Sequence, residues 1–278
     1  MGRVLYFYIM RFIVDKLRSA EFNMAADMYL LGRCVEGGRL TVRFYSWERP
    51  SVTVGYMQDA AGELDMDALR EYGAAWIRRP TGGRAVLHDG DITYSCTFPK
   101  SLTVMGSGIT ETYRIITDCL IEGLARASIR CAAHDSDNDI KGIRRDVKLP
   151  CFLAPNRNEI MVDGRKLVGS AQKRTANAVL QHGSIPVTAA YRKLPDFLRI
   201  DESEKEKQIR LLASKSCCID ELTSGAAFES LAECLMDGFL SILPFKGELI
   251  PWTFQEEAEI NNMIRDFNKT NVKFCKIK

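Results

Sequence analysis

With 278 residues and 46% hydrophobic side chains, the chain can bury a sizeable core, and one large domain with a small helical end fits it better than two equal halves. Its 38 basic residues nearly balance 36 acidic ones, so the formal net charge of +2 gives no global attraction to nucleic acid or membrane, and any basic patch must be local. Nine cysteines, an odd number at irregular spacing with no CxxC pair, argue against a disulfide framework or a zinc site and for a reducing compartment.

In chain order, the apolar run from Val4 to Met10 is too short for a membrane span and lacks a small-residue cleavage site. It reads as a first strand, or a leader before one, in a cytoplasmic protein. Ser19 caps a predicted helix over residues 20–35, with Met24, Ala25, Met28 and Leu31 as its apolar stripe and Gly37-Gly38 as its stop. Residues 41–47 alternate as a half-buried strand, and residues 51–56 follow a Pro50 turn as the second arm of a predicted hairpin. Asp65 caps a short helix to Tyr72.

The next stretch organises the rest. Ala74 to Ile77 is a short apolar run, Ile92 to Phe98 alternates as a strand, and between them lies Arg78-Arg79-Pro80-Thr81-Gly82-Gly83-Arg84-Ala85-Val86-Leu87-His88-Asp89. Pro80 biases Arg79 towards an extended conformation, and Gly82 and Gly83 permit positive φ and close approach of a ligand to the main chain. From chemistry alone a basic hairpin loop and a ligand-binding loop are equally good readings.

Downstream, a long helix is predicted over residues 110–127. Asp135 to Asp139 has carboxylates at alternate positions, but Ile140 stands where a calcium loop needs glycine and Asp146 where it needs glutamate, so the stretch reads as a solvated loop. Cys151 follows between Pro150 and Pro155. It is either a buried small hydrophobe or a thiol whose ionisation Lys166, a hairpin turn away beyond Asp163-Gly164, could favour. Strands are expected over 158–162 and 178–187, and helices over 201–214, 228–243 and beyond Pro251, before a basic tail over residues 269–278.

Phosphate-binding, dinucleotide-binding, zinc-protease and nucleophile-elbow motifs are all missing from the chain, and three histidines (His88, His134 and His182) are few for a histidine-rich metal site. No metal site is expected, and no DNA-binding helices precede the domain.

The block Arg78 to Asp89 resembles the acyl-pocket loop of the biotin/lipoate protein ligase superfamily, in its lipoyl-assembly branch. A second block, Gly164 to Gln172 followed by Gln181-His182-Gly183-Ser184-Ile185, resembles the same family, and Asn23-Met24-Ala25-Ala26-Asp27 is similar to its early helix, there packed beside the acyl site. The resemblance implies an α+β fold, with central mixed and antiparallel β-sheets flanked by helices, over residues 1–250, followed by a C-terminal helical extension over 251–278. It places Trp47, Gly55, Tyr56 and Gln58 near the ligand cleft. It also makes Arg78, Arg79, Thr81, Gly82, Gly83, Arg84, His88, Gly169, Ser170, Ala171, His182 and Gly183 candidate substrate-binding residues. For Arg78 and Arg79 the competing reading is a salt bridge within the fold.

Two activities within this family compete. A lipoate-protein ligase, with ATP and magnesium, passes an acyl-adenylate to a lysine of a carrier domain; a cysteine-dependent octanoyltransferase takes octanoate from acyl carrier protein onto a thiol and then to that lysine, with no cofactor. Arg84 stands where the ligases usually carry a third glycine, and Cys151 lies in a Cys-Phe-x-Ala-Pro-x-x-x-Glu context completed by Glu159, both similar to the transferases. No accessory domain like that of many full-length ligases is expected. The resemblance therefore implies Cys151 as nucleophile and Lys166 as the cation at the acyl carbonyl, with acyl carrier protein and a lipoyl carrier domain (the glycine-cleavage carrier or that of a 2-oxoacid dehydrogenase) as partners, and with neither nucleic acid nor membrane. An inactive lipoyl-binding homologue is the remaining alternative.

Overall fold

The computed structural model describes residues 9–134, 159–225 and 227–269. The first half runs β1 (Ile9–Arg18), α1 (Ala20–Gly37), β2 (Thr41–Trp47), β3 (Ser51–Val54), α2 (Ala60–Glu63), α3 (Met66–Tyr72), β4 (Ala75–Arg78), β5 (Val86–His88), β6 (Asp91–Pro99) and α4 (Ile109–Arg126). The second runs β7 (Ala132–Ala133), β8 (Ile160–Val162), β9 (Arg165–Arg174), β10 (Ala178–Pro186), a 3₁₀ stretch (Ala189–Phe197), α5 (Glu202–Lys215), α6 (Phe228–Ile242), β11 (Lys246–Leu249) and α7 (Phe254–Lys269). Cys151, the carboxylate-rich loop and most of the basic tail lie outside the described residues.

Among the described residues the strands form an eight-stranded sheet, ordered β11-β1-β2-β6-β10-β9-β8-β7, and a three-stranded sheet, ordered β4-β3-β5. In the large sheet β1 pairs in parallel with both β11 and β2, while β2-β6, β6-β10 and β10-β9 are antiparallel. In the small one β3 pairs in parallel with β4 and antiparallel with β5. Helices flank these mixed sheets, as the predicted α+β fold requires.

The predicted hairpin of residues 41–47 and 51–56 does not form. β2 lies between β1 and β6 in the large sheet, and β3 lies between β4 and β5 in the small one. The reason is burial: all of β3 and all of β2 except Ser46 are buried, which a two-stranded hairpin with one wet face cannot provide. The alternation in β2 is real, but both of its faces are covered. Val42 and Phe44 point into the main core, where Phe44 meets Phe239 of α6 edge-on at 6.4 Å, while Arg43 and Tyr45 face α1, whose Asn23 and Asp27 they bond. Likewise β4 and β6 are not partners across the glycine loop, since β5 intervenes and pairs with β3.

Several helix boundaries follow from local chemistry. Ser19 accepts from the Phe22 amide to start α1, Asp65 accepts from the Asp67 and Ala68 amides to start α3, and Asp201 accepts from Glu204 to start α5. Much of β1 lies beyond the apolar run because Arg11, Asp15, Lys16 and Arg18 interrupt it. The pattern also missed β5, β7, β9 and β11, the last a four-residue strand held by its parallel pairing with β1.

On the side of the large sheet opposite α1, α4 and α6 cover the core through Ile116, Leu120, Leu124, Leu235 and Phe239. They cross at a glycine pair: a Cβ on Gly238 would fall 2.3 Å from the Cys119 carbonyl oxygen and 2.4 Å from the Gly123 amide nitrogen. Backbone cannot yield there as a side chain could. Gly238→Ala is therefore expected to destabilise the protein by about 1–3 kcal/mol, read as a lower thermal midpoint in calorimetry.

Candidate functional site

Between α1, the large sheet and the small sheet lies a narrow cleft. Met24, Tyr45, Trp47 and Val86 supply its apolar wall. From the first predicted block it is lined by Arg79 and His88, and from the second by Gly169, Ser170, Ala171, His182 and Gly183. Two stretches 80 residues apart in the chain thus meet across one cavity. Gly183 is required by space alone, since a Cβ there would sit 2.5 Å from the Gly169 carbonyl oxygen and 2.6 Å from the Tyr94 ring.

Beneath the cleft runs a buried polar network centred on Arg43, whose side chain is fully buried. Its guanidinium donates to Asp15 (2.7 Å), to the Asn23 side chain (2.7 Å) and to Asp27 (3.3 Å), and stacks 3.9 Å over the Tyr45 ring. Asp27 also accepts from the Tyr45 hydroxyl at 3.1 Å and lies 2.9 Å from Nδ1 of His182. The other ring nitrogen of His182 is 2.7 Å from Thr81 Oγ1. In the neutral tautomer whose Nδ1–H donates to Asp27, Nε2 is an acceptor and Thr81 donates to it. Burial, then the Asp27 charge, pushes the Tyr45 phenol well above its ordinary value, so it remains a neutral donor.

A second pair of the same form stands on β5 and β6. His88 Nδ1 is 2.8 Å from Asp91, its Nε2 is 3.0 Å from Thr53 Oγ1, and its ring stacks on Trp47 at 4.1 Å. Asp91 also accepts from Ser184 (2.6 Å) and Thr93 (2.9 Å). Each histidine is therefore oriented by a carboxylate on one nitrogen and a threonine on the other, and each ties one sheet to the other. Asp27 entered the sequence reading only as part of a helix pattern, and Arg43, Asp91 and Thr53 not as site residues at all. The available signal was Asp91-x-Thr93-x-Ser95-x-Thr97, a polar residue at every second position of a strand buried throughout.

The remaining predicted residues fall elsewhere. Arg78 donates to the carbonyls of Gly55 (2.9 Å), Tyr56 (3.0 Å) and Gln58 (2.6 Å), so it shapes the preceding loop. Arg79 donates to the carbonyls of Thr53, Gly82 and Arg84 while lining the cleft. Gly83 adopts a φ of 95° and is exposed like Gly82; its carbonyl oxygen would be 2.0 Å from any Cβ on Gly55. The glycine loop thus needs Gly55 as much as its own glycines. Gln58 turns back to the Gly55 amide at 2.8 Å and does not line the cleft. Lys166 is likewise not among the lining residues: it is buried on β9, paired with Glu159 at 2.5 Å.

Cysteines among the described residues are poor nucleophile candidates. Burial pushes the thiols of Cys34, Cys131 and Cys217 up to about 11 and that of Cys119 up to about 12. None of the described cysteines lines the cleft. No group of three or more His, Cys, Asp or Glu side chains among the described residues is arranged to hold a metal ion, and no described helix is long and apolar enough to cross a membrane.

The model of the lipoyl protein ligase A/B catalytic domain matches residues 19–240, which takes in both cleft walls. The chain belongs to this family. Among curated relatives, the octanoyltransferase LipM of Lysinibacillus sphaericus is 37% identical over 86% of this chain and 88% of its own length. That of Bacillus anthracis is 38% identical over 86% and 87%. Among solved structures, the bipartite lipoate protein ligase of Thermoplasma acidophilum superposes with a TM-score of 0.78 at 19% identity, covering 98% of this chain and 99% of that one. A lipoate-protein ligase A bound with ATP reaches 0.73 at 21%, covering 93% and 94%. These last two show the shared fold.

The Arg43 network yields two expectations. Arg43→Leu leaves the buried Asp27 without its arginine and Asp15 with Arg18 alone, and should cost about 3–5 kcal/mol, measured by urea unfolding. Burial raises the Asp15 carboxyl, but the Arg43 charge, hydrogen bonds from Trp252 and Arg43, and Arg18 outweigh it and hold it below its ordinary 3.8. A depressed carboxyl stabilises the folded state above its unfolded value and loses that contribution as pH falls through the folded one. The urea midpoint should therefore hold from pH 7 to 5 and fall below about pH 4, with a shallower fall in Asp15→Asn.

Proposed function

We infer that this chain is an octanoyltransferase of lipoate biosynthesis, delivering an octanoyl group to a lysine of a lipoyl carrier domain. The observation that carries this reading is identity of about 35–38% over most of the chain to curated octanoyltransferases, at the family level of the catalytic domain itself. The ligase alternative is not favoured, because the solved ligases share the fold at 19–22% identity.

Octanoate is a saturated chain, and an apolar wall of Met24, Tyr45, Trp47 and Val86 suits it, each buried methylene contributing about 0.8 kcal/mol. The donor we propose is octanoyl-acyl carrier protein, with no nucleotide or metal consumed. Cys151 is the proposed nucleophile, supported by its sequence context and by the raised thiols found elsewhere. Its thiolate adds to the thioester carbonyl, the carbon–sulfur bond to the donor breaks, and the released thiolate takes a proton. The neutral amine of the acceptor lysine then adds to the new thioester, the bond to Cys151 breaks, and the amine proton passes to the departing sulfur. Lys166 is the proposed cation at the acyl carbonyl, and amides of the glycine loop are proposed donors to its oxygen. The two aspartate-oriented histidines, His88 and His182, are proposed to hold the cleft walls together around the chain.

Incubating the protein with octanoyl-acyl carrier protein in the absence of ATP should give a hydroxylamine-sensitive octanoyl adduct in intact mass spectra, and Cys151→Ser should not carry it. ATP-dependent lipoylation of a carrier domain, with no adduct, would sink the transferase reading.

A further inference from the structure

Lys166 and Glu159 form a buried ion pair: Nζ and Oε1 are 2.5 Å apart, and the two side chains are 3% and 1% exposed. Desolvating both charges costs about as much as their attraction returns, and an apolar pair of the same volume is often more stable, so stability does not explain the pair. Backbone hydrogen bonds hold both residues. Lys166 accepts from the Cys217 amide at 3.0 Å and bridges to Ser216, and Glu159 accepts from the His134 amide at 2.8 Å.

The strand pairing is also irregular here. Ile160 opposes Val168 but Met161 opposes Lys166, so Leu167 is the extra residue of a bulge. A bulge re-aims the side chains on either side of it, and here Lys166, Leu167 and Val168 are all buried in succession. Three residues further along β9, roughly 10 Å by strand rise, Gly169 reaches the cleft wall.

We propose that Glu159 is a positioning residue for acyl transfer, holding the Lys166 ammonium on its bulged strand so that it meets the acyl carbonyl in one orientation. This rests on the reading of Lys166 as the cation at that carbonyl. A free lysine side chain samples many rotamers, and a charge-assisted bond to a buried carboxylate removes that freedom before the substrate arrives.

The test compares the full-length wild type with Glu159→Gln, Glu159→Asp and Lys166→Met, using octanoyl-acyl carrier protein as donor and a lipoyl carrier domain as acceptor. Glu159→Gln is expected to lower kcat about a hundredfold while KM for the carrier domain stays within about twofold. Glu159→Asp restores the charge one methylene short and should recover at least about tenfold of that loss, a rescue that a merely structural residue would not show. Wild-type kcat in Glu159→Gln, with Lys166→Met inactive, overturns the proposal and leaves the role of Lys166 standing. A kcat above wild type also overturns it, marking the carboxylate as a latch on the lysine. Full transfer by Lys166→Met shows instead that the reading of Lys166 has failed. Should Glu159→Gln not fold, as judged by circular dichroism, Glu159→Asp decides: a loss of about tenfold in kcat at constant KM supports the proposal, and wild-type kcat overturns it.

Discussion

The structure depends on one buried guanidinium. Arg43 stands in the middle of β2 with no solvent exposure, and its donors are spread over Asp15 of β1 and Asn23 and Asp27 of α1. A buried charge of this kind is tolerable only when each of its donors finds a partner. That demand locks α1 onto the sheet at a set height and rotation. Trp252, which donates to Asp15 at 2.7 Å, and Glu256, which pairs with Arg11, extend the same lock to α7, the last described helix.

With α1 fixed, the cleft follows. Asp27 reaches His182 on β10, His182 reaches Thr81 before the glycines, and the small sheet is drawn against the large one. The His88 and Asp91 pair closes the other side of the same seam, with Trp47 stacked beside it. The binding site is therefore a junction between two sheets whose polar stitches lie under an apolar lining, an arrangement that keeps the walls rigid while leaving the cavity suited to a hydrocarbon chain.

Fold alone does not separate the activities in this family. A chain that superposes on a ligase with a TM-score of 0.78 has curated transferases as its relatives at nearly twice the sequence identity. The difference has to be sought in the chemistry of the site and not in the fold.

The sequence by itself determined what depends on neighbours in the chain. Helix caps at Ser19 and Asp65 are set by side-chain oxygens that reach amides two or three residues on, and the strand at residues 178–186 and the tight turn at Asp163-Gly164 follow from local periodicity and from the positive φ that both turn residues adopt. The family blocks at Arg78 to Asp89 and Gly164 to Ile185 were legible too, because the close approaches there admit only particular residue types. Tertiary structure decided the partners. Whether β2 and β3 pair with each other or with distant strands, whether the alternation in β2 meets water or a buried arginine network, and which carboxylate Lys166 meets all depend on long-range burial. A two-residue period records which side chains share a face, but not what covers that face.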